Sequence, residues 1–277
     1  MSDAVDTATL RRIEHAEAME IAAVENRKVA ATLRDLRPED WCKPTDCARW
    51  DVRQLVAHVV GSAAGQASPL EFLRQVQRGR PVVAEIGAQY WWDGMNEVHV
   101  RERASATPAE LVAEWDRRSA RALRARRHMP RLVAALPLLR LPAPVGRQRL
   151  RYLFDMGFTR DAWMHRIDIA TATGHPLDVD ESHDGRIVAD LVAEWATTHG
   201  EPFTLTLTGS AGGTFTSGRG GSTSPSMLST SPAPWPAGCP AMACSLMSSR
   251  SDQSRRHPHH ATHKTEHRFA SSSTPDA

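Results

Sequence analysis

Phe154-Asp155-Met156-Gly157-Phe158-Thr159-Arg160-Asp161-Ala162-Trp163-Met164-His165-Arg166-Ile167-Asp168 decides how this chain is read. Leu150, Phe154, Gly157, Asp161, His165, Asp168 and Ala172 recur at steps of three and four, the period of a helix that turns one stripe to a core. Asp161 and His165 share the stripe that Phe154 uses to face inward, so two ionisable groups point into an apolar interior. A buried charge needs a partner or a metal to offset its desolvation. A carboxylate and an imidazole at i and i+4 can share one divalent ion from a helix face, given a third ligand from elsewhere; they can also make an ordinary intrahelical pair.

The third ligand is sought in the first half of the chain. Asp51 reads as a helix N-cap, with Gln54 at the capping-box position. The helix so started carries Val52, Leu55, Val56, Val59 and Val60 on its apolar side, with His58 among them before Gly61. Alone, His58 is an ordinary packed histidine; beside an inward Asp161 and His165 it becomes a candidate ligand.

Further helices follow from periodicity and caps. Residues 9–36 form a long amphipathic helix through Leu10, Ile13, Met19, Val24 and Leu33, ended by Leu36-Arg-Pro38. Trp41-Cys-Lys-Pro44-Thr-Asp-Cys47-Ala-Arg-Trp50 is a loop anchored by its tryptophans. A turn is expected at Arg78-Gly79-Arg80-Pro81, before Tyr90-Trp91-Trp92 leads into another helical region. Thr107, Pro108 and Glu110 are strong start signals for a helix whose solvated face takes Arg117, Arg118, Arg121, Arg124, Arg126 and Arg127. Leu136 to Gly146 is a proline-rich connection that excludes regular helix, and the central helix then runs from about Gln148 to Gly174. Long helices with modest connections argue for an antiparallel four-helix bundle with a site built from inward side chains, over residues 9–174.

After Asp180 another helix ends at Gly200, and Phe203–Thr208 with Thr214–Thr216 alternate as a hairpin, so residues 175–221 open a small α/β domain that is left incomplete. From Ser222 to the last residue, 277, the periodicity vanishes and Ser, Pro, Thr and His dominate, the composition of a disordered tail. Back-translated and read one base out of frame, Ser222–Asp252 acquires a strand, helix and strand-like pattern, which makes the tail a candidate frameshift product. Resequencing across the Gly220-Gly221 codons tests this, and an intact frame rejects it.

The net charge of +2, with basic residues interleaved among acids, points away from nucleic acid. No run reaches transmembrane length and the start Met1-Ser-Asp-Ala-Val-Asp6 has no basic or apolar leader, so a cytoplasmic chain with no membrane partner is expected. Cys42, Cys47, Cys239 and Cys244 lack the tight spacing of a zinc ribbon and read as free thiols. Neither substrate nor oligomeric state is legible.

The loop with Trp41, Pro44, Cys47, Trp50 and Asp51 leading to Val56-Ala-His58, followed by Arg160-Asp161-Ala-Trp163-Met-His165-Arg-Ile-Asp168, resembles the mycothiol-dependent maleylpyruvate isomerase family over residues 9–221. Asn96-Glu97 and Thr107 to Leu111 are similar to its less characterised actinobacterial branch. The resemblance implies a DinB-like helical bundle with a central metal site, followed by a small α/β domain. It places the family's metal ligands on His58, Asp161 and His165, with the shorter Asp161 where the family often has glutamate, and makes Asp168 a candidate to support His165.

Two imidazoles and a carboxylate leave open positions on a divalent ion, zinc first, with nickel or iron also accepted. The resemblance further implies mycothiol as thiol cofactor, a small electrophilic substrate, and isomerase or S-transferase chemistry. The alternatives are a non-catalytic metal-binding interaction or sensor module, and an inactive truncated family member.

Overall fold

The computed structural model describes residues 4–142, 145–218 and, for the backbone, 226–228. In chain order the elements are β1 (Val5–Asp6), α1 (His15–Asp35), α2 (Val52–Gln66), α3 (Pro69–Glu85), α4 (Trp91–Arg101) and α5 (Pro108–Arg127). Then come α6 (Arg131–Ala134), β2 (Leu139–Arg140), β3 (Arg147–Gln148), α7 (Leu150–Tyr152), α8 (Phe158–Thr173), α9 (Arg186–His199), β4 (Phe203–Leu207), β5 (Gly213–Ser217) and β6 (Ser226–Leu228).

Four helices close a ring: α1 packs on α5 and α8, and α2 packs on the same two. The chain is thus mainly α, built on a four-helix bundle. Its core joins Val29 and Leu33 of α1, Leu55, Val56, Val59 and Val60 of α2, Leu111 and Trp115 of α5, and Ile169 of α8. Each fully buried aliphatic side chain contributes about 1.5–3 kcal/mol relative to exposure, so this cluster dominates the stability. The helix starts follow the capping logic. Asp51 and Gln54 exchange side-chain and backbone bonds at the start of α2, and Thr107 and Glu110 do so at α5. The first long helix begins later than its apolar pattern suggests, at His15, because Thr7–Thr9 form a separate 3-10 turn capped by Asp6.

Helices α3 and α4 form a hairpin packed on the outside of α2. Here the structure overturns an expectation: α3 runs straight through Arg78–Pro81 rather than turning there. Pro81 removes one helical donor, but Gly79 lies so close to α4 that a Cβ on it would sit 2.5 Å from the Met95 nitrogen. Close contact of two helices over their whole length outweighs one lost hydrogen bond.

The central helix also differs in detail. It begins at Leu150 and passes through a π-helical turn at Leu153–Gly157 before α8, which ends on Gly174 at φ +73°. This turn corrects the reading of Arg126 as solvated. Arg126 is buried, donating from Nε to the Phe154 carbonyl (2.6 Å) and from Nη2 to the Asp155 carbonyl (2.9 Å) and to Thr159 Oγ1 (2.7 Å). A π-turn displaces carbonyls from their usual donors, and the guanidinium supplies replacements. Arg117, Arg121, Arg124 and Arg127 do lie exposed.

The proline-rich connection holds the β2–β3 hairpin, with Leu139 opposite Gln148. In the smaller layer, β4 and β5 pair antiparallel as the alternation predicts, in a sheet of order β1-β5-β4-β6 covered by α9. Val192 and Trp195 of α9 pack on Leu205 and Phe215. The chain's beginning joins this layer, since β1 runs parallel to β5. Of the segment from Ser222 onward, only β6 is described, parallel to β4; the expected disorder and Cys239 and Cys244 lie outside the described residues. Cys42 and Cys47 are free thiols. Among the described residues no helix is long and apolar enough to cross a membrane.

Candidate metal centre

His58 is delivered by α2, Asp161 and His165 by α8, and the contact of these two helices brings the three together at the centre of the bundle. Their exposures are 1%, 5% and 3%, so none is solvated. The His58 Nε2 is 3.6 Å from Asp161 Oδ2, and His165 Nε2 is 3.5 Å from Asp161 Oδ1. These separations are too long for good hydrogen bonds. His58 Nε2, His165 Nε2 and Asp161 Oδ1 are accordingly buried polar atoms without a hydrogen-bond partner. One ligand atom from each of the three residues lies within 4.8 Å of the others.

Buried polar atoms are almost always paired, and leaving one unsatisfied costs about 1–3 kcal/mol. Three such atoms, on residues close enough to share one ion, have the make-up of a ligand set. Two imidazole nitrogens and a carboxylate oxygen suit zinc and also accept nickel or iron. The residues present therefore fit a divalent ion.

The far sides of the rings are tied down. His165 Nδ1 donates to Asp168 Oδ2 at 3.0 Å, which turns its Nε2 toward Asp161. Cys47 Sγ lies 4.0 Å from that same Asp168 oxygen, placing a thiol from the tryptophan-anchored loop beside the centre. The His58 ring lies against Trp50 (centroids 5.1 Å), has the His99 ring beside it (5.4 Å) and meets His165 edge-on. Its Nδ1 is 3.3 Å from His99 Nδ1, and His99 Nε2 is 3.0 Å from Gln75 Oε1.

Electrostatics divides the histidines. Burial, only partly offset by Asp161, pushes His58 below its usual value, and burial pushes His99 further down. Burial acts the same way on His165, yet the carboxylates of Asp161 and Asp168 outweigh it and hold His165 well above the ordinary range. For Asp161 burial favours the neutral acid, but the two imidazoles outweigh it and hold the carboxyl well below the usual carboxylate range.

The space beside the centre is narrow. A cavity of about 10 Å³, lined by Ser62, Gln66, Ser119, Arg126, Phe158 and Asp161 among others, is about the size of one water.

All three expected ligand positions meet, and Asp168 touches His165. The sequence reading missed His99 and Gln75. A signal was there: Gly61 and Gly65 follow His58 on the same stripe of α2, and Cβ atoms there would meet His99 and Gln75 at 2.5 and 2.4 Å.

Two solved structures resemble the chain: the mycothiol-dependent maleylpyruvate isomerase (17% identity, 72% of this chain, 78% of that one, TM-score 0.48) and a point mutant of that isomerase (15% identity, same coverage, TM-score 0.48). No curated protein matches. Residues 22–170, more than half of the chain and including all three candidate ligands, match the mycothiol maleylpyruvate isomerase N-terminal domain, and the chain belongs to that family.

Proposed function

We propose that this protein holds a divalent metal, zinc in the first instance, on His58, Asp161 and His165, and uses it with mycothiol as an isomerase or S-transferase on a small electrophile. The observation that carries the reading is the convergence of three buried, unpartnered ligand atoms at the bundle centre. A divalent ion with open positions supplies Lewis acidity and lowers the pKa of a bound thiol, making a nucleophile at neutral pH.

The chain's own residues prepare that chemistry. His165 is oriented by Asp168, His58 packs against Trp50 and meets His99 through its Nδ1, and Asp161 supplies the negative charge that favours a cation. Deep burial excludes water, so the electrostatic pull of the centre on a thiol proton is stronger than it would be in solution. Turnover takes place in the cytoplasm on this reading, with no nucleic-acid or membrane partner.

Elemental mass spectrometry on purified wild type, His58→Ala and His165→Ala is the test. Near-stoichiometric metal in wild type, lost in both variants, is expected; a well-folded wild type that takes up none after reconstitution overturns the reading. A second reading, a metal-binding module without catalysis, is favoured by the small size, about 10 Å³, of the cavity that Asp161 lines. Thiol-dependent turnover of an electrophile by the metal-loaded chain separates the two.

A further inference from the structure

We infer that His99 and Gln75 form a proton-positioning relay that fixes the tautomer of His58, so that its Nε2 presents a lone pair to the centre. This rests on the metal reading above and adds two positioning residues that do not touch the ion. The relay starts from a backbone group that cannot change its role. The Gly61 carbonyl can only accept, so Gln75 directs its amide nitrogen there (3.0 Å) and toward Glu71 Oε1 (3.0 Å). The reversed amide would set oxygen against oxygen at both contacts.

With its nitrogen so committed, Gln75 offers Oε1 to His99, whose Nε2–H donates to it at 3.0 Å. His99 is then left with Nδ1 facing His58 Nδ1 at 3.3 Å, and one of the two must carry the hydrogen. If His99 carried it, His99 would be a fully buried imidazolium with no carboxylate in contact among the described residues. The hydrogen therefore sits on His58 Nδ1, and His58 Nε2 is the bare nitrogen. His165 is oriented by a different partner, donating Nδ1–H to Asp168 so that its Nε2 faces the centre. Two ligands are set by two different devices, a carboxylate for one and a neutral chain for the other. The total charge differs: a carboxylate behind His58 as well would put a third negative group against the buried centre, beside Asp161 and Asp168.

The relay is built into the packing. Gly61 leaves the space that the His99 ring fills and Gly65 the space that the Gln75 amide fills, and a methyl group at either would overlap them. Gln75 is 1% exposed and His99 0%. Glu71, which receives the second amide hydrogen, is itself held by Arg74 at 2.6 Å, and Arg74 is paired with Glu102 at 2.6 Å, so the chain ends on a surface ion network rather than on a mobile group.

The test uses the full chain. Long-range ¹H–¹⁵N spectra of the histidine rings in metal-free protein, assigned with single-histidine variants, should show His58 protonated at Nδ1 and His99 at Nε2. His58 with a bare Nδ1, or His99 protonated at both nitrogens, overturns the relay. Zinc affinity, measured by competition with a chromophoric chelator, should fall about 10–100-fold in His99→Leu, the usual cost of losing a group that orients a ligand. His99→Asn, whose side-chain oxygen can still accept from His58 Nδ1, should restore most of that loss. A merely structural role would move the melting temperature of both variants and leave their zinc affinities alike, which also overturns the relay. If wild type binds no zinc, the metal reading fails, and the tautomer spectrum still decides the relay.

Discussion

Two groups of buried histidine and carboxylate lie on different faces of α8, and they differ in where their positive charge comes from. At the bundle centre, His58, Asp161 and His165 leave three polar atoms unpartnered. On the neighbouring face, Glu25, His183 and Asp184 are close enough to be a ligand set too, yet Arg166 already fills their middle. Its Nε donates to Glu25 Oε1 (2.8 Å), its Nη2 to Asp184 Oδ1 (2.5 Å) and its Nη1 to the Asp178 carbonyl (2.9 Å). His183 donates to Glu25 Oε2 (2.8 Å), and Trp163 Nε1 to Asp184 Oδ1 (2.7 Å). The same side-chain types are a saturated ionic lock in one place and a candidate metal centre in the other. What separates them is an internal cation, supplied by the residue after His165.

Breaking the lock should have the largest effect. Arg166→Met leaves Glu25 and Asp184 buried without their cation, and a loss of about 3–5 kcal/mol of stability is expected in urea denaturation. A loss below about 1 kcal/mol would show that these carboxylates are not held by Arg166 as drawn.

Zinc should act on the other group alone. At a hundredfold excess over its dissociation constant it should stabilise wild type by about 2.7 kcal/mol. His58→Ala and His165→Ala should lose this gain while His183→Gln keeps it, in parallel melts with and without zinc. Retention of the gain in His165→Ala would move the site away from the bundle centre.

His165 in one group and Asp184 in the other should respond to pH with opposite signs. His165 has a folded value raised above 6.5, where burial is outweighed by Asp161 and Asp168, so in metal-free protein its contribution is full below 6.5 and lost as pH rises through the folded value. Asp184 has a folded value lowered from 3.8, where burial is outweighed by the Asp180 backbone N–H and Arg166, so its contribution is full above 3.8 and lost as pH falls through the folded value. The stability gap between wild type and His165→Asn should therefore narrow toward alkaline pH, by at most about 1.4 kcal/mol per pH unit for one proton. A gap independent of pH would contradict the Asp161–His165 pairing.

The smallest effect belongs to the rim. Lys28 reaches Asp178, Asp180 and Asp184 from the edge of the lock, with Asp178 81% exposed. Lys28→Met should cost less than Arg166→Met, because two of its three carboxylates, Asp178 and Asp180, are open to solvent, and the loss should shrink further in high salt. A loss as large as that of Arg166→Met would mean that the rim, not the guanidinium, neutralises the lock.

Much of this was legible in the residues. The caps at Asp51 and Thr107, the αL ends at Gly174 and Gly200 and the β4–β5 alternation all follow from local chemistry, because each depends on neighbours within a turn of chain. The inward stripe of Asp161 and His165 follows from helical periodicity, and an apolar setting singles out His58. Arg166 was read only as part of that stretch, since nothing local distinguishes an arginine paired across the bundle from one in solvent.

The sequence by itself therefore determined most of the helices, the caps at Asp51 and Thr107 and the inward stripe of Asp161 and His165, since those are set by spacing and by backbone hydrogen bonding. Only the tertiary structure decided which inward groups find a cation. Arg166 meets Glu25 of α1 and Asp184 of the π-turn before α9, while Asp161 meets no arginine or lysine among the described residues, only His58 and His165. It also decided that Arg126 serves the π-turn carbonyls and that His99 stands behind His58. Those pairings join residues far apart in the chain, and their energies come from the desolvated space that exists only once the helices have packed.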